Sequence, residues 1–505
     1  MRLPSHNVCL PKPNSAGVYV RHRPESTLLY QIVKEYWPEF QAELANHGRH
    51  LPAYVTKEFD EYLKCGRLEH GFLRVRCEAC HDEKLVAFSC KRRGFCPSCG
   101  ARRMADSAAL LADEVLPHQP MRQWVLSVPF QLRLLFASQP AVMGKVLGIV
   151  YRSIATHLVH KAGFTKSTSQ TGAVTLIQRF GSALNLNIHF HMLFLDGVYT
   201  GGANGCTAWF RRVKAPTGAE LTQLAHTIAY RVARHLERQG LLVRDAQNSY
   251  LTADGLDIDP DSPMNHLLGS SVTYRIAVGP QQGRKVFTLQ TLPDLGQDKP
   301  FGSAVSEASG FSLHAGVATR AHEREKLERL CRYIARPAVS TERLSLTRNG
   351  RLRYELKTPW RNGTTHVIFE PLDFISRLVS LVPKPRVNLT RFHGVFAPNS
   401  KHRALITPAK RGRGRETSPD KQGEEKTPFE HRVAMTWAQR LKRVFAIDVE
   451  TCSECGGDVR VIASIEDPVV IRKILDHLEA KSALVRSCQL PLSRAPPELD
   501  LKTVL

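Results

Sequence analysis

Two histidines one residue apart, His189 and His191, lie in the run Asn185-Leu186-Asn187-Ile188-His189-Phe190-His191-Met192-Leu193-Phe194. The run alternates, and in an extended strand alternate side chains share a face. Leu184, Leu186, Ile188, Phe190, Met192 and Phe194 fall on one side, as a core face would. Asn185, Asn187, His189 and His191 fall on the other. Two imidazoles side by side on a rigid element can share one metal ion. A lone histidine in a strand is usually a satisfied, half-buried side chain, so the pair needs support from the rest of the chain.

Cysteines supply a second kind of chemistry. Cys77 and Cys80, then fifteen residues, then Cys96 and Cys99 have the spacing of a four-cysteine zinc site. A two-residue gap presents both thiolates of a pair to one tetrahedral ion, and the long gap forms the loop that the ion closes. Such a closed site is scaffolding. Cys65, Cys90, His70 and His81 are spare ligands nearby. Lys91, Arg92 and Arg93 inside the loop, with Arg102 and Arg103 after it, predict contact with DNA phosphates. Cys452-Ser453-Glu454-Cys455 reads as half a zinc knuckle. Only His477 and Cys488 follow it, so no metal is expected there.

A third candidate is a tyrosine. In the segment 317–336, Leu327, Leu330, Cys331 and Ile334 form an apolar stripe at helical spacing, stopped by Pro337. Tyr333 lies at the edge of that stripe, with Arg329 and Arg336 one turn to either side. These arginines would hold a phosphate against the phenol and favour its role as a nucleophile. On spacing alone an ordinary aromatic at a core boundary is the better account of it.

The elements that must position these groups can be sketched from periodicity. Residues 26–64 read as helical, and another helix is expected from Met104 to about Leu116. A strand candidate at 124–128 is closed by Pro129 and followed by a long helix near 139–162. The His-x-His strand pairs with Ala173–Phe180 through Gly181-Ser182. A helix is expected near 219–240 in an otherwise loop-rich region. Asn349-Gly350 and Asn362-Gly363 predict the turns of a three-stranded meander carrying Arg343, Arg348, Arg351, Arg353 and Lys357. The almost wholly polar stretch from Pro408 to Pro428 reads as a linker.

Composition narrows the partners. Of 505 residues, Lys and Arg number 70 against 47 Asp and Glu, a net charge of +23. Such an excess points to a polyanion, most often nucleic acid. No apolar run approaches a membrane span, and Met1–Gly17 lacks the apolar core of a signal peptide. A cytoplasmic, nucleoid-associated protein with no membrane partner is the expectation, and twelve cysteines there serve as metal ligands or free thiols. No phosphate-binding Gly-x-x-x-x-Gly-Lys-Ser/Thr loop occurs.

Taken together, several segments resemble the HUH-type rolling-circle transposases of the IS91 insertion-sequence family. The carriers are Phe88-Ser89-Cys90-Lys91-Arg92-Arg93-Gly94-Phe95-Cys96-Pro97-Ser98-Cys99 and Arg122-Gln123-Trp124-Val125-Leu126-Ser127-Val128-Pro129. Further on stand Gln178-Arg179-Phe180-Gly181-Ser182, His189-Phe190-His191 with Asp196-Gly197, and Arg332-Tyr333-Ile334-Ala335-Arg336-Pro337. Founding members place two tyrosines four residues apart on the last segment, whereas Arg329 stands at the earlier position here. The chain therefore resembles the single-tyrosine branch.

The resemblance implies an α+β fold, an antiparallel-sheet HUH endonuclease core with helices, preceded by a small helical and zinc-binding domain. The implied organisation is a disordered 1–25, a helical and four-cysteine DNA-binding domain over 26–116, a nuclease over 117–405, a linker at 406–428 and a small module at 429–505. It implies a catalytic Mg²⁺ or Mn²⁺ on His189 and His191, with Gln178 the expected third ligand and Asn187 behind it, and structural Zn²⁺ on the cysteines. Tyr333 would attack single-stranded DNA and form a 5′-phosphotyrosine, driving rolling-circle-like transposition. Arg329, Arg336, Lys91, Arg92 and Arg93 would bind the DNA. Single-stranded element termini, target DNA, and host helicase and polymerase are the implied partners, with an oligomer open. The alternative is a zinc-finger DNA-binding protein without nuclease activity, which would shift DNA and never nick it. A metal-dependent barrel hydrolase would want further ligands at later strand ends, and a carboxylate-triad recombinase an acidic trio that is not apparent.

Overall fold

The computed structural model describes residues 23–201, 208–244, 249–251, 262–292, 305–410 and 450–487. These fall into two compact units. The larger gathers Glu25–Leu63 and, among the described residues, 90–410; the smaller joins Lys64–Ser89 to the described residues from 450 on. The division cuts across the expected boundaries: the helical segment and Cys77/Cys80 lie in different units, and the segment after 450 shares its unit with them. The expected disordered 1–25 and the linker lie almost wholly outside the described residues.

The larger unit is built on a six-stranded antiparallel sheet. Its strands are β1 (Met121–Ser127), β2 (Gly172–Phe180), β3 (Leu186–Leu195), β4 (Val305–Ala308), β5 (Phe311–Thr319) and β6 (Thr390–Gly394). Their spatial order is β4-β5-β1-β3-β2-β6, which places the histidine strand β3 in the interior. An interior strand is rich in β-branched and aromatic residues because both of its edges and much of both faces are covered. Leu186, Ile188, Phe190, Met192 and Phe194 are all fully buried. Tyr151 stacks on Phe194, and Trp124 meets Phe194 edge-on.

Tyr151 belongs to the long helix Pro140–Lys161, as the sequence reading placed it. Contrary to that reading, this helix is long and apolar enough by length and composition to cross a membrane. Its Met143, Val146, Leu147, Val150, Ile154 and Leu158 are buried within the unit, which gives that apolarity a core role. The expected helix at 317–336 is also corrected: Val317–Thr319 finish β5 and the helix, here α1, runs only Arg324–Ile334. The helix expected from Met104 begins earlier, at Pro97, where proline suits the first helical turn, and ends at Leu110 before a wider turn over Leu111–Val115.

The opposite face of the sheet carries the histidines, and the same face carries α1. Leu193, Leu195, Val174 and Leu176 pack with Leu327, Cys331 and Ile334 of that helix, the stripe the spacing marked, with Leu330 half-buried beside them. The Asn-Gly meander forms as expected and gains a fourth strand. Leu344–Leu346, Leu352–Glu355 and Thr364–Phe369 run antiparallel, with Phe287–Gln290 on the far side.

The smaller unit is a three-stranded antiparallel sheet in which Phe72–Cys77 lies between Glu83–Ala87 and Val459–Ile465. The helix Pro468–Ser487 follows the last strand.

One buried ion pair ties the larger sheet together. Arg122 on β1 meets Asp196, just past β3, through Nε–Oδ1 and Nη2–Oδ2 contacts of 2.9 Å each, and its Nη1 donates to the Ala315 carbonyl of β5 at 2.9 Å. The two side chains are 9% and 4% exposed. Removing one member leaves an uncompensated buried charge, which costs about 3–5 kcal/mol. Asp196→Ala should therefore lower the stability read from the urea midpoint by that much, against less than about 1 kcal/mol for Asp60→Ala, an exposed carboxylate on the helix Ala53–Lys64.

Candidate active site and metal centres

Register explains how the histidine face is assembled. In the β2–β3 pair Gln178 stands opposite His189 and Leu176 opposite His191, and in the β1–β3 pair Val125 stands opposite His191. Directly opposed residues share a face, so Gln178 reaches the imidazoles, and Gln123 reaches His191 diagonally. The β2–β3 connection is tight. Gly181 N–H donates to Asn185 O at 2.9 Å, and a Cβ on Gly181 would lie 2.3 Å from Asn185 Oδ1, so a side chain there would displace the buried Asn185 amide. Leu184 takes φ of 58° to complete the turn.

Three donor atoms converge. Gln178 Oε1 lies 2.9 Å from His189 Nε2 and 3.3 Å from His191 Nε2. The other end of that amide is committed, because Gln178 Nε2 donates to the Ile334 carbonyl at 3.0 Å. His189 Nδ1 donates to the Asn187 carbonyl at 2.9 Å, which leaves a lone pair on Nε2 of the neutral ring. Gln123 Nε2 donates to His191 Nδ1 at 2.8 Å. Turning that amide over exchanges its oxygen and nitrogen, moves the His191 proton to Nδ1 and frees Nε2.

Both rings are neutral. Burial pushes His189 down to about 4, against the opposing bond to Asn187 and with Arg336 and Arg133 adding to the effect. Burial likewise pushes His191 down to about 3, helped by His189 and Arg336. Neutral imidazole is the ligating form. Donor separations near 3 Å match adjacent ligands around an ion with bonds of about 2.1 Å. The set therefore fits a small divalent cation, with two nitrogens favouring manganese over magnesium.

The tyrosine stands at the end of α1, one residue before the Ile334 carbonyl that Gln178 grips. Tyr333 is 43% exposed. Arg336 lies 4.4 Å and Lys357 4.2 Å from its ring centre. Lys357 escaped the sequence reading as a partner of the tyrosine, because the meander that delivers it is distant in the chain. Arg329 is exposed and pairs with Glu325 at 3.7 Å. Asn187, behind His189, contributes its carbonyl and leaves its side-chain oxygen without a protein partner.

A cavity adjoins the site. Gln178, Phe180, Ile334 and Arg336 line it together with Arg92, Arg93, Arg103 and Arg179, and no carboxylate is among its lining residues. Arg93 donates to the Val387 carbonyl and Arg103 to the carbonyls of Lys91 and Arg92, which fixes the basic loop as one wall. Arg179 is only 8% exposed, donates to the Ser380 carbonyl and leaves Nε without a partner. Arg103 and Arg179 were not singled out for the cavity, since nothing local in the sequence shows that they face one another.

The expected foursome of cysteines is not one site. Cys77 and Cys80 gather with Cys452 and Cys455, all four sulfurs within 4.8 Å of one another. Cys96 and Cys99 gather instead with Cys90, whose Sγ lies 3.4 Å from Cys99 Sγ. The half-knuckle at Cys452 thus has its partner pair upstream. Spacing identified the ligands, but it does not specify which pair meets which, because that is decided by strand pairing between distant segments.

Comparison with known proteins places these groups in two matched regions. Residues 172–404, which hold Gln178, His189, His191 and Tyr333, match a family model described as "Putative transposase". Residues 32–128 match the "Transposase zinc-binding domain" of the IS91 type. No curated protein and no solved structure matches the chain. With the histidine strand and tyrosine helix in one match and the six cysteines from Cys65 to Cys99 in the other, the chain belongs to the IS91-type transposases and carries their zinc-binding domain in its N-terminal part.

Proposed function

We propose that this transposase cleaves and rejoins single-stranded DNA at element ends through a phosphotyrosine on Tyr333. The observation that carries the reading is the double use of Gln178: one end of its amide joins the two histidines, and the other holds the backbone beside Tyr333. A divalent cation on His189, His191 and Gln178 would supply Lewis-acid polarisation of the scissile phosphate. The residues of the chain do the rest. The Tyr333 oxygen forms a bond to phosphorus, the bond from phosphorus to the 3′-oxygen breaks, and the phenol proton passes to that oxygen through solvent. The 5′-phosphate stays on the protein and a 3′-hydroxyl is released, able to prime synthesis. Arg336 and Lys357, both close to the ring, offset the phosphate charge. Arg92, Arg93 and Arg179 would seat the neighbouring backbone phosphates in the adjoining cavity, with Lys91 and Arg329 as outer contacts.

Because the covalent bond conserves the energy of the cleaved one, no nucleotide is required for the chemistry, and strand separation falls to host helicase and polymerase. With one tyrosine on α1, a second transfer uses Tyr333 again, a second protomer or water. We assign the zinc of the larger unit to Cys90, Cys96 and Cys99. That site is scaffolding for the arginine loop between Cys90 and Cys96.

On a denaturing gel, end-labelled single-stranded DNA from the element's ends should give a protein-linked band with Mn²⁺ or Mg²⁺. Tyr333→Phe should abolish the adduct, and His191→Ala should reduce cleavage about 10²-fold or more while leaving DNA binding within about threefold. Binding by the wild type with neither nick nor adduct under either metal would return the chain to a DNA-binding role.

Gln178→Ala separates the two jobs of that amide. Cleavage should fall about 10–100-fold, and raising Mn²⁺ should restore only part of it, because the Ile334 anchor is lost together with the ligand. Full recovery at high Mn²⁺ would limit Gln178 to metal affinity.

A further inference from the structure

Cys452 and Cys455 lie well beyond the matched zinc-binding region, which ends at residue 128. We infer that Cys77, Cys80, Cys452 and Cys455 form a second structural zinc site, which fastens the strand Val459–Ile465 to the hairpin 72–87.

The two cysteine pairs are built alike. Cys77 N–H donates to the Asp82 carbonyl at 2.9 Å and Cys452 N–H to the Gly457 carbonyl at 2.8 Å, each five residues on. His81 N–H returns to Cys77 O at 3.2 Å and Gly456 N–H to Cys452 O at 3.0 Å, each four residues back. His81 and Gly456 both take the left-handed backbone, with φ of 64° and 76°. Two segments 372 residues apart thus adopt one turn, the turn that aims two sulfurs at a common point.

The turns also interlock. Glu78 N–H donates to the Asp458 carbonyl at 2.9 Å, and the strands that leave the turns pair from Cys77 opposite Val459 to Phe72 opposite Ile465. Cys77 Sγ lies 3.5 Å from Cys455 Sγ, and Cys80 Sγ lies 3.6 Å from Cys452 Sγ. Four sulfurs around a tetrahedral zinc with bonds of 2.3 Å stand about 3.8 Å apart, close to these two separations and within the 4.8 Å that spans all four. Gly457 N–H points at Cys455 Sγ, 3.4 Å away, as suits a thiolate. A Cβ on Gly457 would lie 2.8 Å from Ala79 Cβ and 3.1 Å from Cys77 Sγ, so the cradle admits no side chain there. Each thiol loses its proton on binding, giving a site of net charge −2.

Metal analysis of the full-length protein should return two zinc ions per chain, and the double variant Cys452→Ser/Cys455→Ser should return one. Cys455→His, which keeps a ligand, should return two. A wild-type content of one, or an unchanged content in the double variant, overturns the site. Alkylation followed by mass spectrometry tests it without any substitution. Cys80 and Cys455 are exposed, yet with zinc bound they should react at least about tenfold more slowly than after chelation. Equal rates before and after chelation overturn it as well. Neither readout depends on cleavage, so the result is independent of the reading given to Tyr333.

Discussion

The amide of Gln178 is the constraint on which the candidate active site depends. Its oxygen stands between two imidazole nitrogens and its nitrogen holds the last carbonyl of the helix that bears Tyr333. An amide has one acceptor end and one donor end, and each is used on a different element. Asparagine would be one methylene too short to span them. Glutamate could ligate a cation but could not donate to Ile334. The position therefore couples the geometry of a strand to that of a helix 156 residues away in the chain.

Around that contact the protein combines apolar confinement with unbalanced positive charge. Burial keeps both histidines neutral, so the ligating rings themselves carry no charge to repel a cation. The arginines beside it have no carboxylate among the cavity's lining residues. Five guanidiniums line that cavity and Glu58 offsets only part of their charge, so holding them together is costly in a protein alone and a polyanion bound there removes the cost. The buried Arg122–Asp196 pair is the contrasting case. It is paired and hydrogen-bonded, and it sets the alignment of three strands that includes the histidine strand.

Much of this was legible in the sequence for local reasons. The alternation of residues 184–194 specifies a strand, its faces and the side bearing the histidines, because the period of two leaves no other assignment of faces. Gly181 and the Asn-Gly dipeptides mark turns that few other residues can make. The stripe of Leu327, Cys331 and Ile334 identified the helix under Tyr333. The start of that helix was misplaced, since Val317–Thr319 satisfy a strand as readily as a helix and pairing with β1 decides between them. The cysteine pairing failed for the same reason at longer range. Each Cys-x-x-Cys is a complete local signal, but the partner of each is chosen by which strands lie side by side. Gln123, Lys357 and Arg179 carry no local signal for their parts in the site.

The pairing of cysteines from distant segments has a consequence for how the chain is made. Cys452 follows Cys80 by 372 residues, which at a synthesis rate of about 5–20 residues per second occupy the ribosome for about 20–75 seconds. For that interval the earlier thiols face the cell with half a ligand set, open to oxidation or to the wrong metal. Closing so long a loop costs roughly 5 kcal/mol of chain entropy. Structural zinc typically returns about 10–16 kcal/mol, enough to hold the late strand once it arrives. Completion of the smaller unit then reports that translation has passed residue 455, and a chain broken off earlier would carry the larger unit without that clasp.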